Sequence, residues 1–406
     1  MPKVSLTRCA TYNQPEVDAA LQQLLEPLGG MAKFVRPGQK VLIKPNALLG
    51  ETPEHAVTTH PAVIGAVVKA VVKAGGIALV GDSPGNAHSN VHLTMEKTGF
   101  KVAAESNGGQ LVYFQHEGVV ELPSPSHSLK MPSIRIAKAV LDADVIINLP
   151  KLKTHGLTLY TGAIKNMFGS VPGFHKTSYH TACPRARDFA AAIVDIYQIT
   201  KPALNIMDAI VGMEGPGPNS GDPRKMGLLI ASTDGVAMDA IGSYLIGYEP
   251  SRILTTLDAH QRGLGEIDLK KIEIIGPELA ALRQADWRKS FSNLGLIGEL
   301  PDWLIKLLSP LLEQIKIYPV IDQSKCTKCL VCVNNCPAKT IKKTHPLPKQ
   351  TGPSPSLNKR GGVGGGELVV WIDQKNCISC FCCHELCQYK AIELQRSWLV
   401  RLLKLG

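Results

Sequence analysis

The chain has 406 residues, enough for two or three domains, and its 44% hydrophobic content supplies a large core. Lys and Arg (44) exceed Asp and Glu (34) for a formal charge of +10, but aromatics are only 5% and no aromatic-interleaved basic patch occurs, which argues against nucleic-acid binding. No run of 18 uninterrupted apolar residues is present and Met1-Pro2-Lys3-Val4 opens no apolar signal core or twin arginine, so no spanning helix is predicted and the chain reads as cytoplasmic.

Residues 1–290 alternate apolar strands with helical stretches, which predicts an α/β domain built on a parallel sheet. Val41-Leu42-Ile43 is a short strand ending in Lys44-Pro45-Asn46. Pro61 to Ala74 is a helix, with Pro at its first position and Gly75-Gly76 as its stop. Ile77 to Val80 is the next buried strand and ends in Gly81-Asp82-Ser83-Pro84-Gly85. Asp144 to Leu149, Leu204 to Met207 and Gly227 to Ala231 are further strands, and a helix starts near Asp239. Asp234 before Gly235 reads as an N-cap or turn residue.

Four segments break this regularity. Residues 151–182 crowd Lys151, Lys153, His155, Lys165, His175, Lys176 and His180 after a buried strand, where α/β folds place ligands. Lys as a point charge, His as acid, base or ligand, and Gly162 and Gly169 for close backbone approach suit an anionic small molecule. A solvated basic loop is the plainer reading, but Leu157, Leu159, Ile164, Met167 and Phe168 are apolar enough to bury part of it. Lys165, His155 and Lys153 are the candidate catalytic residues. Lys151, Asp82 and Glu214 are candidate cofactor-binding residues, with an Asx-turn as the structural alternative for Asp82. Residues 212–224, rich in Gly and Pro, read as a loop that is neither helix nor strand, and they are not a dinucleotide fingerprint. Residues 301–316 form an amphipathic connector within 291–318, and 344–366 a flexible Pro/Gly/Ser insertion.

The last region repeats one cysteine spacing. Cys326, Cys329, Cys332 and Cys336 read C-x2-C-x2-C-x3-C, and Cys377, Cys380, Cys383 and Cys387 repeat it. Such a run holds three thiolates around one 4Fe–4S cube and sends its fourth to the other. One set is therefore Cys326, Cys329, Cys332 and Cys387, and the other Cys377, Cys380, Cys383 and Cys336. Zinc would favour two CxxC pairs with a wider gap, and disulfides an oxidising compartment. Cys382 is off the spacing and reads as a spectator; Cys9 and Cys183 read as ordinary thiols. Residues 319–395 carry a net +5 and the tail 396–406 a further +3, which counters two cubes of about −2 each. The oxygen sensitivity of such clusters points to an anaerobic setting.

Residues 319–395 resemble bacterial-type dicluster ferredoxins, which implies a small α+β domain with two 4Fe–4S clusters. The segment Lys151 to Gly173, the strand ends at Lys44-Pro45-Asn46 and 81–85, and the 212–240 stretch resemble the domain-of-unknown-function 362 family over about residues 1–260. That resemblance implies iron–sulfur binding and no particular reaction. His155, Tyr160-Thr161-Gly162-Ala163 and Lys165 are also similar in order and spacing to a stretch of the nickel-pincer lactate racemases, which marks Lys165 and His155 as inward-facing.

Two functions follow as expectations. In one, two clusters relay single electrons from a soluble donor to an anionic substrate or cofactor held by 151–182 and 212–224, as in an oxidoreductase. In the other, the α/β domain docks a partner oxidoreductase and has no chemistry of its own. The 301–316 and 396–406 segments could lie on an anionic membrane, but docking between the domains is the favoured reading.

Overall fold

The computed structural model describes residues 1–85, 90–128, 130–173, 175–290, 317–344 and 368–396. The 301–316 connector, the insertion beyond 344 and the tail beyond 396 lie outside the described residues.

The first twelve strands are β1 Lys3–Arg8, β2 Lys40–Lys44, β3 Ile77–Val80, β4 Gln110–Leu111, β5 Val119–Pro123, β6 Ser133–Ala137, β7 Val145–Asn148, β8 Lys151–His155, β9 Leu159–Thr161, β10 Leu204–Glu214, β11 Asp222–Ser232 and β12 Glu273–Ile275. Ten of them form one sheet in the order β12-β1-β11-β10-β7-β2-β3-β4, with β8 beside β10 and β9 beside β8. From β4 through β10 the pairings are parallel, and the β10–β11–β1 extension is antiparallel. The sheet is therefore mostly parallel, as the sequence suggested, with an antiparallel extension on one side.

Strand alternation explains why the core strands are apolar at every position. Val41 and Ile43, Val145 and Ile147, Ile206, and Leu229 and Ala231 face one side, against helices Gln14–Leu25 and Pro61–Lys73. Leu42 and Ile146 meet helix Ala186–Thr200 on the other side, where Met207, Leu228 and Ile230 meet helix Gly235–Leu245. With both faces covered, nothing on these strands is left for water.

The 212–224 segment corrects its expectation. Gly212 to Glu214 ends β10 and Asp222 to Arg224 begins β11, paired antiparallel with Gly212↔Arg224 and Met213↔Pro223. Only 215–221 is a turn. Proline is tolerated at a strand's first residues, where a ladder donor can be spared, so Pro223 does not stop the hairpin.

A second, smaller fold contains β13 Ile317–Ile321, β14 Ile341–Thr344, β15 Val369–Ile372 and β16 Ile392–Arg396. β13 pairs with β16 and β14 with β15, both antiparallel. Each cysteine run thus gives its strands to the other. The two runs share their backbone too: Lys328, Leu330 and Lys339 are left-handed, as are their counterparts Ser379, Phe381 and Lys390.

Asp234 caps helix Gly235–Leu245. Its Oδ1 accepts from the Val236 and Ala237 amides (both 2.9 Å) and its Oδ2 from the Glu266 amide at 3.0 Å. Asp234→Ala should destabilise the fold by about 0.5–2 kcal/mol, read as a shift in the urea midpoint at constant slope.

Candidate functional site

Three parallel strands deliver polar residues to one edge of the sheet. Lys44 ends β2, Asn148 ends β7, and Asp82 lies just beyond β3. Strands β3 and β7 flank β2 on opposite sides, so this edge is a topological switch point, where open α/β sheets bind ligands. Lys44 is fully buried and pairs with Asp82 at 2.8 Å. Asp82 also accepts from the Ala47 and Ser83 amides at 2.7 and 2.9 Å. It therefore combines an ion pair with two main-chain amides, one next in the chain and one from just beyond the end of β2, in place of an Asx-turn.

The basic segment is not a solvated loop. It forms strands β8 and β9, a short helix Ala163–Asn166 and a helix His175–Ala182. Two glycines make this packing possible. A Cβ on Gly162 would stand 2.0 Å from Asp239 Oδ1, and one on Gly169 would stand 2.0 Å from Asp82 Oδ1. Asp239 accepts from the Ala163 and Ile164 amides at 2.6 and 3.0 Å, so it holds the first turn of the helix that carries Lys165. Both glycines admit a carboxylate.

The smaller domain closes over this edge. Helix Cys382–Glu385 faces the α/β domain, where His384 places one ring nitrogen 3.2 Å from the Pro216 carbonyl and the other 2.6 Å from that of Ile392. Asn219 donates to the Cys387 carbonyl at 3.1 Å, and Lys390 to that of Gly221 at 3.4 Å. Between the domains lies a cavity of about 80 Å³. Lys153, Lys165, Lys176 and His180 line it from one side, and Cys382, Glu385 and Leu386 from the other. Cys382, off the ligand spacing, is thus a wall of this cavity.

Burial governs the electrostatics. Lys153 is fully buried and donates to Asn46 Oδ1 and the Val57 carbonyl, both at 2.7 Å. Burial, then Lys165 and Lys151, hold its pKa well below the ordinary lysine value. Burial also lowers that of Lys165. Lys176 donates to the Ser83 and Pro84 carbonyls, and burial brings its pKa down to about 7. His180 is brought down to about 3, chiefly by burial.

His155 accepts from the Leu157 and Thr158 amides through Nδ1, at 3.0 and 3.3 Å, which puts its proton on Nε2. That nitrogen lies 3.3 Å from Glu385 Oε1, outside hydrogen-bond geometry, and among the described residues neither atom has a hydrogen-bond partner. Burial lifts the Glu385 pKa to about 7, against the pull of Lys165 and Lys153. In the cavity's lining, Thr161 Oγ1, Asn166 Oδ1 and His180 Nδ1 are likewise buried without partners among the described residues. Unsatisfied buried polar atoms are rare in folded proteins, and here several gather at one place.

A second cavity is lined by Cys336, Cys377, Cys380 and Cys383. Cys332 has Cys329, Cys387 and Cys326 as its electrostatic neighbours, and burial followed by those thiols pushes its pKa up to about 12. Among the described residues no three His, Cys, Asp or Glu side chains converge as for a single metal ion. Four thiols spaced around a hollow suit a 4Fe–4S cube instead. Thr340 donates its amide to Cys336 Sγ and Ala391 to Cys387 Sγ, both at 3.3 Å, at equivalent places in the two runs. Such bonds stabilise thiolate charge and tune a cluster's potential.

The other two candidates sit apart from the cavity. Lys151 donates to Asp208 Oδ2 and Tyr12 Oη, both at 2.8 Å, and Tyr12 donates to Asp208 Oδ1 at 2.8 Å. Glu214 pairs with Arg224 and Arg288, each at 2.8 Å, on the β10–β11 hairpin. The residues that sequence reasoning missed are Asn46, Thr161, Asn166 and Glu385. Asn46 and Thr161 lie in short motifs that the sequence singled out for other reasons, whereas Asn166 and Glu385 carried no local signal of their own.

Asp208→Ala would leave the Lys151 ammonium buried without its counter-ion and should cost about 3–5 kcal/mol in urea unfolding, while the Lys151→Met/Asp208→Leu pair regains most of that. The Lys176 amine should titrate near pH 7 in NMR of reductively 13C-methylated protein, as a resonance absent from Lys176→Met. A Lys176 resonance moving only near pH 10 would contradict the burial described here.

Among the described residues no helix is long and apolar enough to cross a membrane. Residues 41–244 match the family described as domain of unknown function DUF362, and residues 319–342 match the 4Fe-4S binding domain. The thylakoid-associated protein sll1697 of Synechocystis sp. (strain ATCC 27184 / PCC 6803 / Kazusa) is 38% identical over 262 residues, 64% of this chain and 79% of the relative. The lactate racemase apoprotein of Thermoanaerobacterium thermosaccharolyticum superposes with a TM-score of 0.38 at 13% identity, over 60% of this chain and 57% of that one. A Thermotoga maritima crystal structure superposes with a TM-score of 0.34 at 16% identity, over 55% of this chain and 56% of that one. The chain spans a little over half the length of each of these two structures. From the extent of the first match and the identity to the cyanobacterial relative, the chain belongs to the DUF362 family and carries a 4Fe-4S binding domain after it.

Proposed function

We propose that this protein is an iron–sulfur oxidoreductase in which two 4Fe–4S clusters relay single electrons to a small anion held between the domains. The observation that carries this reading is the shared wall: helix Cys382–Glu385 includes the thiol Cys383 and also lines the lysine-rich cavity through Cys382 and Glu385. Cubes held by the two crossed cysteine sets would supply electrons one at a time. The chain's own residues do the rest. Lys153 and Lys165 orient the anion, the docked domain keeps water out, and His155 beside Glu385 is placed to hand on the proton that a reduction consumes. Lys44–Asp82 fixes the floor of the site and takes no part in turnover. A soluble protein supplies or accepts the electrons.

Small molecules released from anaerobically purified protein should include one that reoxidises the dithionite-reduced clusters, followed by visible absorbance. Lys165→Ala should abolish that reoxidation and leave the clusters' absorbance intact. Unchanged reoxidation in Lys165→Ala removes this site from the reading. A stoichiometric complex with another oxidoreductase and no released small molecule would make the protein an adaptor instead.

A further inference from the structure

The charges around the interdomain cavity do not balance. Lys44 and Asp82 form a pair at 2.8 Å and cancel. That leaves Lys153, Lys165 and Lys176 facing one carboxylate, Glu385, among the lining residues. Three basic side chains thus face one acidic one, so at most one of them is matched there. Among the described residues, the acceptors of Lys153 and Lys176 are neutral: an amide oxygen and backbone carbonyls. Lys165 lies 5.8 Å from the centre of the Phe168 ring. A buried lysine in this state either gives up its proton or gains an anion, and an anion that enters restores the ammonium form.

The hydrogen bonds add a second requirement. Asn205 donates to the Ser232 carbonyl, so its Oδ1 accepts from Asn148 Nδ2 at 2.9 Å. Asn148 Oδ1 in turn accepts from Asn166 Nδ2 at 2.7 Å. The Lys44 and Pro45 carbonyls, each 3.3 Å from Asn166 Nδ2, favour the same orientation. This chain of amides fixes Asn166 with its oxygen as the free end, and that oxygen is buried without a donor. Glu385 Oε1 lacks one as well, while Thr161 Oγ1 has a hydroxyl proton to give.

We infer that the cavity binds a compact dianion that also carries a hydrogen-bond donor. Hydrogen phosphate and a short hydroxylated dicarboxylate share this chemistry. The two negative charges meet the lysines, the donor serves Asn166 or Glu385, and the volume of about 80 Å³ keeps the ligand small. This rests on the cavity being the site that the electrons serve, but binding is measurable without any electron transfer.

The test is anaerobic calorimetry on the full-length, cluster-loaded, oxidised protein with inorganic phosphate, hydroxymalonate, malonate and acetate. Phosphate or hydroxymalonate should bind at least about tenfold more tightly than acetate, since each charge-assisted contact adds to affinity. Hydroxymalonate should also exceed malonate, which lacks the hydroxyl. Whichever of phosphate and hydroxymalonate binds more tightly identifies the source of the dianion. Lys165→Met and Lys176→Met should each weaken binding by about tenfold with cluster absorbance unchanged, and the exposed Lys138→Met should not. Acetate binding as well as every dianion, or undiminished dianion binding in both variants, overturns the inference. A dianion that binds but never reoxidises reduced clusters sinks the relay alone.

Discussion

Everything at this site depends on one constraint: an ammonium group taken out of water needs a negative partner. Lys44 satisfies it with Asp82, at the ends of adjacent parallel strands. Because that pair is complete, it serves as a fixed post around which Gly169, Ser83 and the Ala47 amide are arranged. Lys151 satisfies the same constraint with Asp208 and Tyr12, apart from the cavity. Among the described residues, Lys153, Lys165 and Lys176 share one carboxylate of the cavity wall, Glu385, so the internal pairings select which lysines face the cavity.

The short helix Cys382–Glu385 connects this charge problem to the electron carriers. Adjacent residues, Cys382 and Cys383, line the two different cavities. Cys383 is surrounded by the thiols of Cys380, Cys377, Cys332 and Cys336, whereas Glu385 lies among the lysines. A shift of this helix would alter both environments together.

Much of the framework is legible in the sequence, since local rules carry it. The helix at Pro61 starts and stops where its Pro and Gly residues say it should, and the buried strands show as unbroken apolar runs. The repeated cysteine spacing is chemistry written at short range. The failures are long-range. Gly and Pro in 215–221 mark a real turn, but propensity cannot show that its flanks pair into a long hairpin. Nor can spacing tell Lys151 from Lys153. They lie two apart on one strand, and their fates are decided by Asp208 and Asn46, residues distant in the chain. Glu385 and the buried amide chain through Asn205, Asn148 and Asn166 become visible only when strands and domains come together.

The domains meet largely through main-chain oxygens on the hairpin side. His384 and Lys390 approach the carbonyls of Pro216 and Gly221. A carbonyl is present whichever residue supplies it, so these two acceptors are main-chain features of the turn, whereas Asn219 reverses the roles and gives its own side-chain amide to the Cys387 carbonyl. The donating side chains have no such generality. Change is therefore absorbed unequally from position to position along this boundary, with His384 and Lys390 held on one side and Asn219 on the other.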